Sequence, residues 1–281
     1  MYSGDKTITA SDGFELAATV FGDVKSCKRV VVISSATAVA RQYYRHYARA
    51  LADSGYAAIT YDYRGIGGSR PATLRGMPAR MRDWALLDMQ SVVDWAREAA
   101  DQEQVFLVGH SVGGQVAGLL ENSAAIRAML SVSAQSGHWR LQGGSQKLSV
   151  AFHVHVSFPL LVRLVGYMPW SWFGSAEDLP PGVALEWARW CRDRQYLMGD
   201  ASLPLHRYQD FSAPVLAYSV DDDVWGTAES VDAMTAPYRN AERRHLVPAD
   251  YQLRKLGHFG YFRKHASAVW QEGFRWLDAL N

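Results

Sequence analysis

Three groups of residues in this chain have the types and the order needed for nucleophilic acyl chemistry. Gly109-His110-Ser111-Val112-Gly113 is a G-x-S-x-G pentapeptide. The apolar run Val105–Gly109 precedes it, and a small-residue stretch with Gly113, Gly114, Ala117 and Gly118 follows. A serine placed between a strand and a helix sits on a strained turn, which needs small neighbours on both sides. The helix N-terminus behind it puts positive dipole where an oxyanion forms. A serine hydroxyl is a weak nucleophile until an imidazole takes its proton, and the imidazole needs an acid to fix its tautomer. Asp221-Asp222-Asp223 closes the apolar run Val215–Val220, and Gly257-His258-Phe259-Gly260 lies near the C-terminus. The order serine, acid, histidine is the one expected after such an elbow. The three adjacent carboxylates leave the acid open at this point. They also suit a solvated loop, and they lack the alternating ligands of a calcium loop.

The remaining histidines fit the base less well. His245 falls inside a strand pattern, His265 begins the last helix, and His110 adjoins the serine with its side chain expected to point elsewhere. His153 and His155 form an H-x-H pair without a third ligand, so no metal site is expected. The base belongs after the last strand, in a loop, and His258 is there.

The elements that must position these residues alternate. Strand patterns near Phe14–Val20 and at Val30–Ser34, Ala57–Tyr61, Val105–Gly109, Ala128–Ser133, Val215–Val220 and Arg243–Val247 are interleaved with helical ones. Tyr44, Tyr47, Ala48 and Leu51 mark one helix face, with Gly55 as its stop, and Leu86, Met89, Val93 and Ala96 mark another within 78–100. Ser267–Leu280 reads as a closing helix. This alternation predicts an α/β class with a mostly parallel sheet flanked by helices. It breaks over 137–206, which holds Trp139, Trp170, Trp172, Trp187 and Trp190, half of the chain's 10 tryptophans. We read this as a mostly helical insertion between two parts of one domain, 1–136 and 207–281. At 281 residues such a domain is within the usual range.

The chain resembles the α/β-hydrolase family over nearly its whole length. The residues that carry the resemblance are the elbow, Asp62-Tyr63-Arg64-Gly65-Ile66-Gly67-Gly68-Ser69, the Ser34-Ser35-Ala36-Thr37-Ala38-Val39 loop, the segment from Tyr218 to Gly226 and Leu256-Gly257-His258-Phe259-Gly260. Within the family it is most similar to a group of uncharacterised bacterial hydrolases. The resemblance implies an α/β-hydrolase fold with a helical cap at 137–206. It implies a serine carboxylesterase or lipase-like enzyme that cleaves esters, or amides, of apolar acyl or aryl groups without a cofactor. Aligning Pro214-Val215-Leu216 with the family pattern puts the acid at Asp223. Catalysis then rests on Ser111, Asp223 and His258. Backbone N–H groups of Val112 and of Ala36 or Thr37 form the oxyanion hole. The second donor stays open because the family's usual His-Gly is absent from that loop. Trp170, Trp172, Trp187, Trp190 and Trp225 are expected around the substrate. The same triad also serves acyltransferases and carbon–carbon bond hydrolases, and a non-catalytic ligand-binding member would share the fold.

Composition narrows the partners to a small-molecule ester or related acyl compound. Lys and Arg total 29 against 28 Asp and Glu, a net charge of +1, so no nucleic-acid surface is expected. Cys27 and Cys191 are far apart and form no disulfide framework. No signal-peptide core opens the chain, and a cytoplasmic location is the expectation. The most apolar stretch, Phe152–Phe173, is interrupted by His153, His155, Arg163 and two prolines, so no transmembrane segment is expected.

Overall fold

The computed structural model describes residues 3–27, 29–174 and 176–280. Its strands are β1 (Ser3–Thr9), β2 (Glu15–Phe21), β3 (Val30–Ser34), β4 (Ala57–Tyr61), β5 (Val105–His110), β6 (Ile126–Val132), β7 (Val215–Val220) and β8 (Ala241–Leu246). They form one sheet in the order β1-β2-β4-β3-β5-β6-β7-β8. β1 and β2 pair antiparallel, as do β2 and β4, and every other pair is parallel. This is the α/β-hydrolase fold that the sequence implies.

The sheet forms because β3, β4, β5 and β7 are apolar at nearly every position and buried at all of them. Such strands need cover on both faces. The two-residue period divides them between two cores. Val30, Val32, Leu107 and Met129 point to one, and Val31, Ile33, Val108 and Leu130 to the other. β1 departs from the sequence expectation, which begins the sheet near Phe14. Its residues, SGDKTIT, are mostly polar, with Ile8 buried in the core, because among the described strands it is an edge that pairs with β2. The helical pattern expected over 78–100 is also only partly helical. Turns lead into a π-helical turn, Trp84–Met89, and a regular helix then runs over Gln90–Ala100.

The chain places β4 on one side of β3 and then crosses to place β5 on the other. This reversal is where open α/β sheets gather their ligands, beyond the carboxyl ends of the strands. Ser34 and Gly109 are register partners, so the loops that follow β3 and β5 start side by side. Between β6 and β7 the chain leaves the sheet for a segment of helices and turns, the one expected as a cap. Within it Met168 and Leu179 make an isolated antiparallel bridge. The longest piece, Gln146–Val165, is by length and composition apolar enough to cross a membrane, with mean hydropathy 1.6. In the structure it lies in the cap, with Val150, Val154, Phe158 and Val162 packed inward.

Candidate active site

Ser111 has φ 51° and ψ −119°, the left-handed backbone of a tight strand-to-helix turn. A side chain rarely accepts this, and the strain holds its hydroxyl out of the turn. The two motif glycines explain how the turn closes. A Cβ on Gly109 would lie 2.5 Å from Gly114 Cα, and one on Gly113 would lie 2.3 Å from the Ser34 carbonyl oxygen. Only hydrogen side chains let the helix start press against β5 and the β3 loop.

Asp223 and His258 come together from opposite sides of the last crossover. His258 Nδ1 is 2.8 Å from Asp223 Oδ2. The other carboxylate oxygen, Oδ1, accepts backbone N–H bonds from Trp225 at 2.9 Å and Gly226 at 2.8 Å. Burial pushes the Asp223 carboxyl up, but the His258 ring and these donors outweigh it and bring the group down to about 2. An ionised Asp223 can only accept, so Nδ1 of His258 is the donor in this pair and Nε2 is left to face the cleft. Asp222, one of the three carboxylates that suit a solvated loop by sequence, is instead held by the backbone. Its carboxylate accepts from the backbone N–H of Leu256 at 3.1 Å and of Gly257 at 2.7 Å. It therefore clamps the loop that carries His258. Asp221 is exposed and lies 3.4 Å from His245 Nε2.

His110 is fully buried beneath the site. Its Nε2 donates to the backbone carbonyl of His258 at 2.8 Å. Burial, and then the nearby His258, push its pKa down to about 3, so the ring is neutral and Nδ1 is an acceptor. The Tyr44 hydroxyl, whose ionisation burial pushes far up, donates to that Nδ1 at 2.8 Å. The same hydroxyl accepts the Ala36 N–H at 2.8 Å. Each proton in this chain is therefore placed by its neighbours, and the chain ties the β3 loop to the histidine loop. The expectation that His110 points away from the serine holds, but its role as this bridge was not visible in sequence. The Ala36 N–H, expected as a candidate oxyanion donor, is committed to Tyr44. Thr37 is the other candidate, and it lines the cavity.

Two connected spaces meet at Ser111. An outer cleft of about 530 Å³ reaches His258, Phe259 and Tyr43. An inner recess of about 20 Å³ is lined further in by Val150, Val154, Phe158 and Gln142 of the inserted segment. Thr37, Ser111, Gln135, Trp170, Trp187 and Trp225 line both. Two of the five tryptophans expected at the substrate lie elsewhere. Trp172 is 65% exposed on the outside of the cap. Trp190 is buried behind the recess, where its indole N–H donates to Asp200 at 2.9 Å. Aromatic residues on short helices face either way, and the sequence offers no signal that separates these two from the others. Gln142 was not singled out by sequence. It is buried, and its Oε1 has no hydrogen-bond partner among the described residues.

The Asp62–Ser69 segment serves the frame. Asp62 accepts from the backbone N–H of Arg41 and of Gly68 and pairs with the Arg41 guanidinium, while Arg64 Nε meets Asp88 at 2.7 Å. Of the H-x-H pair, His153 lines the recess and bonds Ser157, while His155 turns to the Ala151 carbonyl. Among the described residues no group of three or more His, Cys, Asp or Glu is placed to hold a metal.

A family model described as serine aminopeptidase, S33, matches residues 25–157. An uncharacterized 31.7 kDa protein from the traX-finO intergenic region of Escherichia coli is 39% identical over 70 residues. That stretch is 24% of this chain and spans about a quarter, 23%, of that protein. Solved structures similar over nearly the whole chain include the α/β hydrolase GrgF from Penicillium sp. sh18 (TM-score 0.65, 20% identity, 99% of each chain). They also include the esterase EaEST from Exiguobacterium antarcticum (TM-score 0.64, 16% identity, 98% of this chain and 100% of that one). A third is Est1E from Butyrivibrio proteoclasticus with ferulic acid bound (TM-score 0.64, 15% identity, 98% and 99%).

Proposed function

We propose that this chain, which has the α/β-hydrolase fold and matches a serine-peptidase family model over residues 25–157, is a serine esterase for small carboxylic esters. The observation that carries this reading is the Asp223–His258 pair at 2.8 Å, with His258 opening on the same cleft as the strained Ser111. His258 Nε2 takes the hydroxyl proton as Ser111 Oγ adds to the ester carbonyl. The Val112 N–H, at the start of a helix where backbone donors lack intrahelical partners, and the Thr37 N–H hold the oxyanion. Collapse breaks the ester C–O bond, and His258 gives its proton to the departing alcohol. Water, deprotonated by the same imidazole, then clears the acyl-enzyme.

The division of the cavity orients the substrate. His258 lines the outer cleft and is absent from the recess lining. The leaving alcohol must meet His258, so it belongs in the cleft of about 530 Å³. The acyl group then faces the recess, whose 20 Å³ is close to the least volume that holds one water-sized group. This narrows the expected apolar acyl group to a short one and leaves room for an aryl alcohol. A fluorophosphonate probe tests the nucleophile. Wild type should label and Ser111→Ala should not, with ester turnover falling by roughly 10⁴-fold or more. Equal labelling of the two proteins would remove Ser111 from the mechanism.

A further inference from the structure

The cap helix Gln146–Val165 is apolar on two opposite faces. Val150, Val154, Phe158 and Val162 recur every fourth residue and are buried. Leu148, Phe152, Val156, Leu160 and Leu164 recur with the same spacing, offset by two, and are exposed at 66%, 57%, 46%, 50% and 68%. An α-helix turns once per 3.6 residues, so a four-residue spacing drifts around its surface. Here the π turn His153–Ser157 widens the winding and offsets much of that drift. The outcome is one continuous apolar stripe on the outside of the protein. Phe173 extends it, with its ring 5.6 Å from His153, and the exposed Trp172 lies in the same turn.

The charge around the stripe has one sign. No aspartate or glutamate occurs between Glu121 and Glu177. Lys147, His155 and Arg163 are exposed, each one position before a stripe residue, and so run along one flank. Glu177 and Asp178 at the border are paired with Arg70. A second copy of the chain fits poorly. Two stripes related by a two-fold axis would bring Lys147 of one toward Arg163 of the other, and like charges repel across an interface. An anionic lipid surface fits both features. Its acyl boundary takes the leucines and the tryptophan, and its headgroups take the basic flank.

We propose that this face docks on anionic lipid surfaces, holding the cap against the bilayer plane. The test is flotation with vesicles of phosphatidylcholine alone or with a third phosphatidylglycerol. It uses wild type and Ser111→Ala, so that binding is read apart from any turnover. Both should float with anionic vesicles, and about tenfold less with neutral ones. Leu148→Ser/Leu160→Ser/Leu164→Ser and Lys147→Glu/Arg163→Glu should each lower partition at least tenfold. Circular dichroism and thermal unfolding like wild type will show that these variants are folded. Absence of flotation, or equal flotation of wild type and the leucine variant, overturns the proposal. So does a dimer in sedimentation velocity that the leucine variant abolishes while vesicle binding is absent, since the face then belongs to a second copy.

Discussion

The imidazole of His110 donates to the backbone carbonyl of His258 across 2.8 Å, from directly beside Ser111 in sequence. The turn that presents Ser111 and the loop that presents His258 are therefore joined by a buried hydrogen bond. Through Tyr44 the same bond continues to Ala36, the residue before the Thr37 oxyanion candidate.

Breaking this line at Tyr44 should slow chemistry more than binding. Tyr44→Phe leaves the Ala36 N–H without its partner in a buried position, at a cost of about 1–3 kcal/mol. The β3 loop then shifts to find another acceptor. Removal of one oxyanion donor costs about 10²–10³-fold, so displacement should lower kcat by roughly tenfold to a hundredfold with KM little changed. Steady-state kinetics on a soluble short ester will read the split. A change in KM alone would place Tyr44 outside oxyanion alignment.

His110 should make the fold acid-sensitive. Its pKa is depressed from 6.5 to about 3 in the folded protein, so the unfolded chain binds the proton first. The associated stability is intact above pH 6.5 and is lost as pH falls toward 3. The full loss is about 5 kcal/mol. Urea unfolding at several pH values, compared between wild type and His110→Gln, isolates this contribution. The difference between the two curves should shrink steadily over that window. Parallel curves would mean that His110 is protonated without penalty.

The three carboxylates should separate by function. Asp223→Asn should reduce kcat by about 10⁴-fold, the scale of loss when a triad histidine is held in the wrong tautomer. Asp222→Ala releases only the backbone clamp on Leu256 and Gly257, and a loss of about tenfold is expected, in line with a few broken hydrogen bonds. Asp221→Asn should be silent. If Asp222→Ala matched Asp223→Asn, the assignment of the acid would have to change.

Acyl length should be limited by the recess. Acetyl and propionyl esters of p-nitrophenol should exceed the octanoyl ester in kcat/KM by about 10²-fold or more, since overpacking a close-packed space costs about 1–3 kcal/mol. Phe158→Ala should move the optimum to longer chains. An octanoate optimum in wild type would show that the recess does not hold the acyl group.

Much of this was legible because it is local. Runs such as Val30–Ser34 and Val105–His110 can only be strands with both faces covered. The elbow is written in glycines that two backbones press upon. What was hidden depends on partners far away in sequence. β1 reads as a polar loop until β2 lies beside it. Asp222 reads as a turn residue until Leu256 and Gly257 arrive from the far end of the chain. The different positions of Trp172 and Trp190 follow from which way a helix is rolled, and composition carries no record of that.

The π turn in the cap helix also has a consequence for which insertions and deletions the chain can survive. A π turn is an α-helix holding one residue beyond its need. Deleting a residue within His153–Ser157 lets the helix close to regular winding, with its two halves left in phase. Deleting one anywhere else between Gln146 and Val165 rolls the remainder by about 100°. A deletion between Phe158 and Val162 would then roll Val162 out of phase with the recess-lining Val150, Val154 and Phe158. The cap helix carries one spare residue, and only that stretch can give it up.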